Sequence, residues 1–233
     1  MQSGLWVYRM NPGDYVLNLL KEVPGTEKTI ILMRHSHRNS FQGIPDSLRE
    51  GVEITPEGVL MARAFGESLG KIVPKKHILL GHTPAKRCRM TAESISQGYA
   101  LPDQVRILGC HPEVGSVVAD PDNYIRLREE LGWQCLMQKW LNLEIPGQTL
   151  ENPHTYCDKT LAGLVSFTGL NHDDLLVVIA HDVTIFPILF SVFGKPVTSI
   201  GFLNGLVITG DSANVHIRYT DAHHSLTAEW STR

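Results

Sequence analysis

Thr29-Ile30-Ile31-Leu32-Met33-Arg34-His35-Ser36-His37-Arg38 is the stretch on which the fold turns. Its first five residues are apolar or β-branched in both parities, the pattern of a strand buried on two faces. The next five are ionisable or hydroxylic, and they do not suit a strand interior. In an open α/β sheet, ligands bind beyond the carboxyl ends of the strands. Leu175–Ala180 followed by His181-Asp182 repeats the arrangement, so two strand ends carry imidazoles. Ile78–Leu80 and Val105–Leu108 are two further runs read as buried strands.

Helical patterns lie between these runs. Tyr15–Val23 is expected to be a helix stopped by Pro24-Gly25. In Thr55–Leu69, Thr55 can cap and Pro56 suits the first turn. Gly58, Ala62, Phe65, Gly66 and Leu69 then share one face, small enough in places to lie close to a sheet. Thr83-Pro84 is expected to open another helix, with Ala85, Cys88, Ala92 and Ile95 on one side. A last helix follows His181 through Ile185, Leu189 and Val192, ending near Gly194. Leu206–Thr209 and Val215–Tyr219 form a late hairpin around Gly210-Asp211. Strands alternating with helices predict an α/β three-layer sandwich, a largely parallel central sheet with helices on both faces. One domain is expected over residues 1–233. The segment 110–173, with helices at Tyr124–Leu131 and Cys135–Leu141, is either a substrate-covering insertion or a crossover with extra helices.

Composition narrows the function. The 233 residues are 42% hydrophobic, enough for a sizeable core. Lys+Arg number 21 against Asp+Glu 24, a net −3, without the basic excess of a general nucleic-acid binder. No apolar run reaches the roughly 18 residues of a membrane span. With no secretory leader in evidence at Met1–Gly13, a cytoplasmic protein is expected. Cys88, Cys110, Cys135 and Cys157 form no CxxC pair and read as free thiols.

A third cationic cluster, Lys86-Arg87-Cys88-Arg89, falls in the first turns of the helix after Thr83-Pro84. Exposed cations there oppose the helix dipole by roughly 0.3–1 kcal/mol each, unless an anion is bound. Lys86 and Arg89 are expected to extend into solvent, leaving Arg87 as the candidate. Arg34, His35, Arg38, Arg87 and His181 together suit a phosphate, whose oxygens match guanidinium donors. Neighbouring arginines disfavour an imidazolium, so His35 stays neutral and able to attack phosphorus. They also offset charge on the transferring phosphoryl group. Asp182 stands beside His181, in reach of a leaving oxygen that needs a proton.

The motifs resemble those of the histidine phosphatase superfamily. Arg34-His35-Ser36-His37-Arg38 is similar to its Arg-His-Gly-x-Arg signature. Ile54-Thr55-Pro56-Glu57-Gly58 is similar to its Leu-Thr-x-x-Gly helix start, and Arg87-Cys88-Arg89-Met90-Thr91-Ala92 to its second-arginine motif. Ala180-His181-Asp182-Val183-Thr184 resembles the His-Asp motif of the acid phosphatase branch, where the mutase-like branch has glycine after the histidine. The resemblance implies a phosphoglycerate mutase-like fold and a metal-independent phosphomonoesterase without a cofactor. It makes His35 the nucleophile that becomes phosphohistidine. It makes Arg34, Arg38, Arg87 and His181 the phosphate pocket, and Asp182 the proton donor. Glu113, 26 positions after Arg87, competes for that last role, because the mutase-like branch places its donor glutamate near there. Ser36 departs from the family's glycine, and Ser40 stands where the acid phosphatase branch often has proline.

Three other functions fit parts of the pattern: mutase-like phosphoryl transfer, a non-catalytic phosphate-binding module, and a metal-dependent hydrolase on the His35/His37 pair. His82, His111, His181 and Asp182 would complete that metal site, though Arg34 and Arg38 would repel the ion. The expected partner is a phosphorylated small molecule or phosphoprotein, with no nucleic acid and no membrane. Specificity is expected from Asn39–Glu53 and from Cys110–Asp173, where Trp133 and Trp140 line either a pocket or the core.

Overall fold

The computed structural model describes residues 11–23, 28–74, 76–171, 173–211 and 214–231. Seven strands form one sheet: β1 (Thr29–Arg34), β2 (His77–His82), β3 (Val105–Cys110), β4 (Asp174–Ala180), β5 (Gly205–Gly210), β6 (Val215–Thr220) and β7 (Ser225–Trp230). Their order is β3-β2-β4-β1-β5-β6-β7. The four at the β3 side are parallel, and the last three extend the sheet antiparallel from β1. The helices are α1 (Asp14–Lys21), α2 (Pro56–Ile72), α3 (Lys86–Gly98), α4 (Pro121–Leu131), α5 (Trp133–Leu141), α6 (Pro153–Val165) and α7 (Asp182–Phe193). Among the described residues, no helix is long and apolar enough to cross a membrane.

Both faces of the sheet are covered, which explains why its central strands are apolar in both parities. Ile31, Met33, Val177 and Ile179 pack with Val16 of α1, Phe65 and Leu69 of α2 and Ile95 of α3. Their neighbours Leu32, Leu176 and Val178 pack on the other face with Trp140 of α5, Tyr156 and Leu161 of α6, and Phe186 and Leu189 of α7. Every residue of β4 is buried, as a central parallel strand requires. Thr55 caps α2 by accepting the Gly58 N–H at 3.0 Å, and Pro56 takes the first position. Gly66 presses α2 onto the Ile95 carbonyl of α3, so closely that a side-chain carbon would collide with it. This is the small-residue face expected from sequence, although it meets a helix as well as the sheet.

Other elements depart from expectation. β3 is the sheet edge, with Arg106, Ile107 and Cys110 exposed, and is not a buried strand. α3 begins at Lys86, because Thr83 turns its hydroxyl to another partner. α6 was not foreseen, although Asn152 caps it and Pro153 opens it. β7 was not foreseen either, as its alternately exposed residues bury little. Pro24-Gly25 lies outside the described residues. The segment 110–173 crosses from β3 to β4, with α5 and α6 inside the second core and no buried residue on α4. Trp140 is wholly buried in that core, its indole N–H donating to the Glu151 carbonyl at 2.8 Å, and Trp133 packs against the same cluster.

Candidate active site

β1 and β4 are parallel neighbours in a register that pairs Arg34 with Ala180. His35 and His181, the next residue of each, therefore emerge side by side at one edge of the sheet. Their ring centroids are 5.6 Å apart. β2, on the other side of β4, ends at His82 and leads through Thr83 into α3, which carries Arg87. Strand order alone thus gathers three chain segments around residues 35, 87 and 181 that lie far apart in sequence.

Hydrogen bonds fix the proton on each imidazole. The Nδ1 of His35 lies 2.7 Å from the Ser36 carbonyl, which only accepts, so Nδ1 carries the hydrogen and Nε2 keeps its lone pair. The Nδ1 of His181 lies 3.3 Å from a guanidinium nitrogen of Arg87, which only donates. The His181 proton is therefore on Nε2, 3.1 Å from the Thr83 hydroxyl. Burial, then His181, pushes the His35 imidazole well below its ordinary value; Arg87 and Arg34 add to this and the Ser36 carbonyl opposes it. His181 is pushed down to about 3, by burial first and then by Arg87, Arg34 and Arg38. The sequence had credited the arginines with keeping His35 neutral, but burial does more.

Arg34, Arg38 and Arg87 surround the two rings. Arg87 is 8% exposed and donates from Nη1 to the Arg49 carbonyl at 2.7 Å. Arg34 donates to the Ile200 carbonyl and lies over Phe202, 4.3 Å from its centroid. Arg38 donates to the Asn39 carbonyl at 2.7 Å. The Nε of all three is buried without a partner. Buried donors left unmade are costly, so three in one place mark where an acceptor-rich anion would be stabilised. Lys86 and Arg89 point elsewhere, pairing with Glu53 at 2.5 Å and Glu93 at 3.7 Å.

Sequence reasoning placed Phe41 in the Asn39–Glu53 loop, read as a lid over the site or a solvated connection, without giving the ring a role of its own. Its centroid is 3.4 Å from the Arg38 guanidinium carbon, 5.1 Å from that of Arg49 and 5.3 Å from that of Arg87. The negative face of one ring offsets like charges without a carboxylate that would compete with phosphate. Phe41→Leu should weaken vanadate inhibition about 5- to 10-fold, and Phe41→Tyr should retain it. Equal inhibition constants for Leu and Phe would remove the ring from this role. Thr83 and Phe202 were missed; both meet the site only through long-range contacts. An aromatic residue three places beyond Arg38 was the one available signal.

The turn after His35 is clamped to α2. The Ser36 hydroxyl donates to the Gly58 carbonyl at 2.7 Å, and its N–H donates to the Thr91 hydroxyl at 3.1 Å. Gly58 lies against the His37 carbonyl with no room for a side chain. Serine in place of the family's glycine therefore adds a strut to this turn. His37 puts Nδ1 2.8 Å from the Thr55 hydroxyl.

The two candidate acids sit differently. Asp182 opens α7 and places Oδ2 3.4 Å from Arg34 Nη2, at the rim of the arginine cluster. The Glu113 carboxylate packs against Gly163 of α6, with His111 as its charged-group neighbour. His82 gives Nδ1 to the Thr83 carbonyl at 2.8 Å, and His111 Nδ1 accepts from the Glu113 N–H at 3.4 Å. Among the described residues, no group of three or more His, Cys, Asp or Glu is placed to hold a metal ion.

The family model for the histidine phosphatase superfamily, branch 1, matches residues 30–205. Several solved structures share the fold. A mycobacterial glucosyl-3-phosphoglycerate phosphatase in complex with VO3 is 17% identical, with 88% of this chain and 100% of that chain covered and a TM-score of 0.54. A protein described as mycobacterial hydrolase 1 is 15% identical, covering 86% and 100% at 0.55. YhfR of Bacillus stearothermophilus is 15% identical, covering 88% and 97% at 0.51. No curated protein matches the sequence. Since the matching model is that of branch 1, kinship with the acid phosphatase branch rests on the His181-Asp182 dipeptide alone.

Proposed function

This chain belongs to the histidine phosphatase superfamily, and from that premise we propose that it hydrolyses phosphomonoesters through a phosphohistidine on His35, without a metal ion. The observation that carries the proposal is the free Nε2 of a neutral, buried His35 among three guanidiniums whose Nε donors are unmade. Nε2 attacks phosphorus as the bond to the leaving oxygen breaks, and Asp182 gives that oxygen its proton. Arg34, Arg38, Arg87 and His181 hold the phosphoryl oxygens, the Nε2–H of His181 exchanging the Thr83 hydroxyl for a phosphoryl oxygen as charge concentrates there in the transition state. Water then attacks the phosphohistidine, Asp182 takes its proton, and inorganic phosphate leaves.

The test is hydrolysis of an aryl phosphate from pH 4 to 8 with and without a chelator. Chelator-resistant release of inorganic phosphate is expected. Loss of activity to the chelator would replace this mechanism with the metal-dependent one. Return of the phosphoryl group to a second hydroxyl of the same substrate, in preference to water, would make the enzyme a mutase.

The protonation states give a second expectation. In a ¹⁵N-histidine NMR titration, neither His35 nor His181 should show the inflection near 6.5 of a free imidazole, and His181 should titrate only near pH 3. An inflection near 6.5 in either ring would contradict the burial argument. The stability consequence has a definite sign. The unfolded chain takes up protons on these rings near pH 6.5 while the folded chain does not. Stability therefore falls as pH drops below about 6.5 toward the lowered values.

A further inference from the structure

We propose that Thr83 is a positioning residue that takes back the His181 Nε2–H between turnovers, and so lowers the affinity of the pocket for the inorganic phosphate it produces. That role rests on the hydrolase reading above and concerns product release from the same site. Two acceptors claim one hydrogen. The Nδ1 of His181 receives from Arg87 at 3.3 Å, which leaves the neutral ring a single N–H, and the Thr83 hydroxyl holds it at 3.1 Å. The unesterified oxygens of a phosphate dianion only accept, so Thr83 and phosphate compete for the same donor.

Both sides of that contact are anchored outside the pocket. Thr83 follows β2 and is buried, and its N–H donates to the Ile179 carbonyl of β4 at 3.1 Å. The backbone of the strand that carries His181 thus holds the hydroxyl in place. Cys88 of α3 packs against the imidazole, its Sγ 3.8 Å from each ring nitrogen. The thiol donates to the Ala180 carbonyl at 3.5 Å, so the sulfur supports the ring without claiming its proton. With Thr83 buried, the resting partner of the donor is a fixed hydroxyl rather than bulk solvent.

The strengths of the two bonds decide what the competition does. At 3.1 Å the Thr83 contact lies at the long end of the N–H···O range of about 2.7–3.2 Å. It joins two neutral groups, and a bond to an ionised acceptor is roughly twice as strong. The donor therefore leaves Thr83 when a charged phosphoryl group stands beside it. Breaking the first bond is subtracted from the affinity of every anion that binds. The subtraction weakens substrate and product alike, and it leaves the step from bound substrate to transition state untouched. Three guanidiniums with unmade Nε donors would otherwise hold phosphate tightly, and product release sets the rate of many enzymes. Thr83 opposes that retention.

The experiment measures inorganic phosphate binding by calorimetry, and steady-state turnover of an aryl phosphate, in wild type, Thr83→Val and Thr83→Ser. Valine keeps the shape and removes the acceptor, so the His181 donor has no resting partner to leave. We expect Thr83→Val to bind phosphate about 3- to 10-fold more tightly, the range of one neutral hydrogen bond, and to lower KM by the same factor without raising kcat. Thr83→Ser restores the acceptor and should return the dissociation constant to near that of wild type. Calorimetry reads unfolded protein as a lowered stoichiometry, so partial misfolding does not mimic the effect. In ¹⁵N-resolved proton spectra of wild type, the His181 Nε2–H signal should move when phosphate is added. Equal or weaker phosphate binding by Thr83→Val, or an unmoved signal, overturns the proposal; weaker binding is what a hydroxyl that only supports the fold, or itself touches phosphate, would give. Tighter phosphate binding without turnover would keep this role for Thr83 and reject hydrolysis. Turnover with an unchanged phosphate affinity would do the reverse.

Discussion

Replacing His35 with alanine should lower phosphomonoester turnover by about 10⁴-fold or more, because the other nucleophiles described beside it are not free to accept the phosphoryl group. The geometry leaves no understudy. His181 spends its Nδ1 on Arg87 and turns a protonated Nε2 toward Thr83, so it has no free lone pair to attack phosphorus. His37 is tied to Thr55, and the buried Cys88 thiol is pushed up to about 12, too high for an appreciable thiolate. Wild-type enzyme mixed with substrate and quenched in alkali should carry an acid-labile phosphate, and His35→Ala should carry none. The variant should still bind vanadate, since the guanidiniums remain. Residual turnover within 10-fold of wild type, or labelling of another residue, would remove His35 from the chemistry.

Asp182→Asn should slow a poor leaving group by about 10²–10³-fold and a good one far less, because only an alkoxide requires the proton. The position of Asp182 gives the argument its direction. Its Oδ2 is 3.4 Å from Arg34, which holds the carboxylate in the resting site. A phosphate dianion that draws Arg34 toward itself loosens that ion pair and frees the Asp182 carboxyl to face the leaving oxygen. Asparagine keeps the shape and cannot give the proton. The measurement is log kcat/KM against leaving-group pKa for aryl and alkyl phosphates. The slope should steepen in Asp182→Asn and remain unchanged in Glu113→Gln. The opposite result would move the donor to Glu113 and detach it from Gly163.

How much of this was legible beforehand follows from the range of the interactions. Arg34, His35, Arg38, His181 and Asp182 were readable because apolar runs end abruptly at them, and Arg87 because a cationic cluster opens a helix; strand order does the rest. The central strands were readable because burial on two faces demands unbroken hydrophobicity. β3 was misread as buried because Val105, Ile107 and Leu108 are aliphatic; Arg106 between them was the local sign of an exposed face, while edge position itself is not a local property. β7 stayed invisible because it buries little of its surface. Thr83 and Phe202 escaped because each gains its role from partners in distant segments, as with Thr83 and His181.

The bond from Arg87 to the Arg49 carbonyl has an evolutionary side. A main-chain oxygen is the same whatever side chain stands there. The turn over the pocket can therefore exchange its side chains, and with them its choice of substrate, while this anchor on the phosphate-binding cation persists. Divergence at Asp46–Gly51 would then retune what is hydrolysed without re-inventing how.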